Sequence, residues 1–202
     1  MEKLSAIECR VLGTLVEKSL TTPQAYPLSL NALTNGCNQK SAREPETSYS
    51  DQEVMDACTD LKRRSMVTEF FGAGARVSKF EEAMTVHLDL NKEQAALLAE
   101  LMLRGPQGEG ELRARASRMA PLPDLAALHA ALDGLSSRQP PLVRPLSDPM
   151  RSRGVRWEHA LSDGSGGAIP PPQSPTAEPS VLDRLAGLEA RVSELEKRAA
   201  QP

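Results

Sequence analysis

Aromatic residues are scarce in this chain: one tryptophan, two tyrosines and three phenylalanines in 202 residues. Any core must therefore be built from Leu, Ala, Val and Met. Long apolar runs are missing as well. No stretch nears the ~18 consecutive apolar residues that cross a bilayer, and the N-terminal MEKLSAIECRVLG has no basic segment ahead of an apolar run, so neither a membrane partner nor a signal peptide is expected. Cysteine is rare. Cys9, Cys37 and Cys58 are too few and too scattered for a disulfide framework, and no CxxC is available for zinc. Each is expected as a small buried hydrophobe. Neither sign of charge dominates, since 24 basic against 27 acidic residues leave a net charge of −3. These absences point to a soluble, cytoplasmic protein. Any claim of nucleic-acid binding has to rest on local charge.

Four spans differ in texture: 1–86, 87–162, a Pro/Gly-rich linker at 163–179, and a short helical tail at 180–202. They hold ten basic and twelve acidic residues, ten and nine, and, for the last two together, four and six. In the first span Ser5 and Glu8 form a capping box, followed by Ile7, Val11, Leu12, Leu15 and Val16 at helical spacing. That helix is expected to fade near Ser19. A second helix follows Pro27 and stops near Gly36. A third opens on a second capping box, Ser50 with Glu53, and ends in Lys62-Arg63-Arg64. MVTEFF and RVSKFE then read as two strands around a Gly-rich tip. The order helix, helix, helix, hairpin is that of a winged helix-turn-helix module.

The second span repeats the order. Asn91 caps a helix that breaks at Gly105-Pro106. GELRARASRM forms a second helix, and a third carries Leu125, Leu128, Leu132 and Leu135. LVRPL and VRWEHAL bracket a second hairpin, with Pro145 restricting its strand to a sheet edge. The repeat rests on element order, with an offset of 86 between the first helices. The expected fold class is mainly α with short β-hairpins (α+β): two tandem winged-helix domains and a C-terminal coiled-coil-like helix.

The run TTPQAYPLSLNALTNGCNQKSAREP at 21–45, with SDQEVMDACTDLKRR, FGAGARVSKFE, LMLRG, GELRARASRM and RWEHAL, resembles the YceH-like family of bacterial proteins. The likeness covers nearly the whole chain except 163–179. It implies two winged-helix domains and, because the family's biochemical role is largely uncharacterised, little about activity.

A winged helix presents its third helix to the major groove and its hairpin to the neighbouring backbone. DNA-facing candidates in the first domain are Asn38, Gln39, Lys40 and Arg43, with Arg76 and Lys79 on the wing. In the second they are Arg113, Arg115 and Arg118 on one helix and Arg151 and Arg153 in the hairpin loop. Against this stand Asp51, Glu53, Asp56 and Asp60, four carboxylates on the first domain's third helix. The second domain's third helix, almost all Ala and Leu, has little with which to read bases. The tail offers a different partner. Val181, Leu185, Leu188, Val192 and Leu195 alternate by four and three residues, with Arg184 and Arg191 placed to meet Glu189 and Glu196 of a second copy. A homodimer is the expected assembly.

Catalysis is not expected. His87, His129 and His159 have neither a nearby nucleophile nor metal-ligand spacing, and GAGA at 72–75 lacks the strand–loop–helix context of a phosphate loop. No cofactor or small-molecule substrate is evident. The function expected from the sequence is regulatory double-stranded DNA binding by a dimer. The alternative is a protein-interaction adaptor that uses winged helices as scaffolds.

Overall fold

A computed structural model describes residues 2–71, 77–146 and 155–162. They form a mixed α+β structure of seven α-helices and two three-stranded sheets. Helix α1 (Ala6–Thr21) starts at the Ser5–Glu8 capping box and runs two residues past its expected end. A two-residue strand β1 (Leu28–Ser29) leads into α2 (Leu30–Cys37), which Ser29 caps. Helix α3 (Asp51–Arg63) starts at the Ser50–Glu53 capping box. Strands β2 (Val67–Phe70) and β3 (Lys79–Glu82) complete an antiparallel sheet in the order β1-β3-β2. The first half thus ends with its middle strand.

A short helix, α4 (Met84–His87), connects to the second half. Helix α5 (Lys92–Arg104) opens on a capping box of Asn91 and Gln94 and ends at Gly105, whose φ of 70° is open to glycine at no steric cost. Then follow β4 (Gln107–Gly108), α6 (Glu109–Ala116), α7 (Leu125–Ser136), β5 (Val143–Leu146) and β6 (Arg156–His159). The second sheet has the order β4-β6-β5, the same topology as the first. Pro145 does lie on an edge strand, where its missing N–H costs no ladder bond.

The two halves share one core. Helix α1 is buried continuously from Glu8 to Glu17, and α5 from Ala95 to Leu103. A helix buried on all sides is a central element rather than an amphipathic cover. The two pack on each other, and Gly13 sets their separation. A Cβ there would lie 2.9 Å from Leu103 Cγ and 3.2 Å from Met102 Cβ. Backbone bonds reinforce the contact: Glu44 N–H donates to Leu103 O at 2.9 Å and Leu4 N–H to Leu161 O at 2.8 Å. The span boundary expected at residue 86 falls within this continuous core, and the described residues form one compact unit.

Aromatic scarcity shows in what fills the core. Among the described residues Phe80, on the middle strand of the first sheet, is the one fully buried ring. The other buried hydrophobic residues are Leu, Met, Val, Ala and Cys. Phe70 and Phe71 are exposed. All three cysteines are buried and free, as expected.

Candidate functional site

The arginines singled out in the sequence are mostly occupied inside the fold. Arg43 lies in the loop after α2. Its side chain is fully buried, and it donates to Gly36 O at 3.0 Å, Ala42 O at 2.8 Å and Glu17 Oε2 at 2.5 Å. It faces inward and has no surface with which to meet a phosphate. Asn38 fastens the same loop, donating to Tyr49 O at 2.7 Å and accepting from Tyr49 N–H at 2.8 Å. Gln39 is half-buried, its Oε1 3.4 Å from Arg43 Nη2. Arg113 closes the connection between α6 and α7 by donating to the carbonyls of Leu122 and Pro123. Lys40 and Lys79 are exposed. Arg76, Arg151 and Arg153 lie outside the described residues, as do Val181, Leu185, Leu188, Val192 and Leu195 of the tail.

Arg118 departs from its expected place. Helix α6 ends at Ala116, so Arg118 is not on the helix of Arg113 and Arg115. From the turn beyond, it bridges the two halves. Nη1 meets Glu17 Oε1 at 2.5 Å and Nη2 meets Glu100 Oε2 at 3.0 Å. Arg104 Nε lies 3.1 Å from the other Glu100 oxygen. The chain Arg43–Glu17–Arg118–Glu100–Arg104 is therefore an alternating charge network along the α1–α5 contact. Burial pushes the Glu17 carboxyl up, but the hydrogen bonds and charges of Arg43 and Arg118 outweigh it and hold that carboxyl below its usual range. Arg10 is a second buried cation without a carboxylate. It is satisfied by Cys37 O at 3.0 Å, Thr47 Oγ1 at 3.2 Å and Pro45 O at 2.7 Å, which pins the loop between α2 and α3.

The third helices present little positive charge. On α3 the exposed side chains begin Asp51, Gln52, Glu53 and Asp56. At its end Lys62 is paired with Glu69 at 2.5 Å and Arg63 with Asp60 at 2.9 Å. On α7 the exposed side chains are Leu125, Ala126, His129, Ala130 and Asp133, with no Lys or Arg. Leu125, unlike Leu128, Leu132 and Leu135 of the same helix, is exposed at the first turn. His129 is also exposed, and its Nε2 lies 3.2 Å from Glu109 Oε1, which accepts from Trp157 Nε1 at 3.2 Å. His159 is buried, and its Nδ1 has no hydrogen-bond partner among the described residues.

One polar feature was not read from the sequence. A cleft of about 390 Å³ opens where the loop at Glu44 and Pro45 meets the second half. Arg104, Arg115 and Arg156 line it together with Gln107, Glu44 and Glu111. Their positions, spread from 44 to 156, share no local pattern, so only the fold brings them together. The described residues contain no group of three or more His, Cys, Asp or Glu able to hold a metal ion, and no helix among them is long and apolar enough to cross a membrane.

A family model described as "Protein of unknown function, DUF480" matches residues 4–152. The chain is 38% identical over 203 residues to a UPF0502 protein of Shewanella halifaxensis, covering 98% of this chain and 94% of that protein. It is 41% identical over 211 residues to one from Burkholderia multivorans, covering 99% and 89%. A third, from Geotalea daltonii, is 43% identical over 194 residues, covering 96% and 87%. The family model spans most of the chain and these relatives are covered almost end to end, so the chain belongs to the DUF480, or UPF0502, family of bacterial proteins.

Proposed function

We propose that this protein is a non-enzymatic, homodimeric scaffold for protein association, built from two winged-helix modules fused through α1 and α5. The winged-helix reading is supported by the element order of each half and by its sheet, in which the short strand before the second helix pairs with the last strand. The observation that carries the functional reading is the character of the third helices. A helix that enters the major groove needs amide and basic side chains on its outer face. Here α3 offers carboxylates at its start, and α7 offers Ala, Leu and one His. Such faces repel phosphate or ignore it, but they suit contact with a protein. The charge-poor outer face of α7, with Leu125 exposed, resembles an interface core more than a polyanion-binding surface.

DNA binding by the hairpins, through Lys79, Arg76, Arg151 and Arg153, is the competing reading. Fluorescence anisotropy of a labelled random duplex separates the two. The scaffold reading expects no saturable binding at about 50 mM salt. Binding there, with a loss of ~10³-fold or more by about 200 mM, would replace it with the DNA reading. Sedimentation tests the dimer: a chain ending at residue 179 is expected to run as a monomer and the full chain as a dimer. Equal masses would contradict assembly through the tail.

A further inference from the structure

We propose that the cleft between the Glu44–Pro45 loop and the second half binds a small anion bearing a phosphate or carboxylate group. Three guanidiniums meet there from separate elements: Arg104 at the end of α5, Arg115 on α6 and Arg156 on β6. Two carboxylates, Glu44 and Glu111, share the lining, leaving an excess of one positive charge. The volume, about 390 Å³, falls in the range of small-molecule sites, ~300–1,000 Å³. It has no room for a folded partner.

The arginines are positioned. Gln107 is 1% exposed, and its Nε2 lies 3.4 Å from each of the carbonyls of Glu100 and Gly105. This orients its Oε1 to accept from Arg115 Nη1 at 2.9 Å, while Glu111 holds Nη2 at 2.5 Å. Arg156 Nη2 donates to Pro106 O at 2.5 Å. Arg104 is held near Glu100 through its Nε. A solvated arginine needs no buried amide to aim it. Each guanidinium has five N–H donors, and among the described residues these contacts use at most two of them. The remainder form a forked donor set of the kind that grips carboxylate or phosphate oxygens in pairs. The opposite wall is fixed too: Glu44 N–H is bonded to Leu103 O, and Arg10 holds Pro45 O.

The chain carries its own reporter. Trp157 is the one tryptophan; it follows Arg156 and pairs in register with Gln107. The full chain is titrated with inorganic phosphate and, separately, with malonate, following Trp157 fluorescence. Ionic strength is held constant with chloride, because phosphate also stabilises proteins without binding. A saturable change with at least one probe is expected, and the pair of titrations tells phosphate from carboxylate preference. Arg115→Gln and Arg156→Gln should each weaken half-saturation by about tenfold or more, the loss expected when a charged hydrogen-bond donor is removed. Arg156 is on the exposed rim, so its variant keeps the test open should Arg115→Gln fail to fold. No saturable response to either probe would overturn the proposal. So would an equal response to chloride alone, or unchanged affinity in the folded variants.

Discussion

His159 shows how a single side chain can set a pH limit on this fold. It is buried on β6, and desolvation lowers its pKa from 6.5 to about 4. The folded chain therefore keeps it neutral over a range in which the unfolded chain protonates it. As pH falls below about 6.5 the unfolded state gains a proton that the native state refuses, so stability is complete above that pH and drains away toward pH 4. The full shift corresponds to about 3 kcal/mol. Urea unfolding between pH 7.5 and 4.5 should show this loss in the native sequence and a clearly shallower pH slope in His159→Leu. Parallel slopes would assign the acid sensitivity to other groups. The thiols illustrate the same desolvation with the opposite sign. Burial pushes Cys9 and Cys58 up to about 12 and Cys37 up to about 11, so all three stay protonated and unreactive while the chain is folded.

At the scale of elements, the charge network along α1 and α5 is the distinctive device. Glu17 is the only carboxylate touching Arg43 among the described residues. Glu17→Gln keeps the shape but strands a fully buried guanidinium, which costs about 3–5 kcal/mol. The Arg118 share of the network is smaller, because its side chain is 36% exposed and water screens it. A denaturant midpoint shift worth less than about 1 kcal/mol would show that Arg43 finds compensation elsewhere. These roles were not legible in the sequence. Arginine is almost never fully buried unless it is paired, and the pairing partners sit 26, 18 and 101 residues apart. Helix starts were legible because a cap is local: Ser5, Ser50 and Asn91 each bind the chain three residues on. The two-residue strands β1 and β4 were not, since nothing within two residues marks a partner some 50 residues away. Continuous burial of α1 was hidden for a related reason. Its charged positions, Glu8, Arg10 and Glu17, are paired by residues distant in sequence, Arg64 for Glu8, the loop between α2 and α3 for Arg10, and Arg43 and Arg118 for Glu17.

For the whole molecule, the repeated element order suggests two domains in tandem, yet the packing makes them one body. Helices α1 and α5 each serve as the first helix of their own half and as the wall of the other, with Gly13 allowing their close approach. Two small halves, poor in aromatic residues, would each bury too little apolar surface to be robust alone. Sharing the spine answers that shortage. It also means that the outer helices α3 and α7 are carried on one shared core. The most direct measurement of this account is equilibrium unfolding in urea followed by separate probes. Trp157 fluorescence reports the second half, while the absorbance of Tyr26 and Tyr49 reports the first. The account predicts coincident transitions with one midpoint and one slope. Two resolved transitions, with either half persisting after the other has melted, would contradict it.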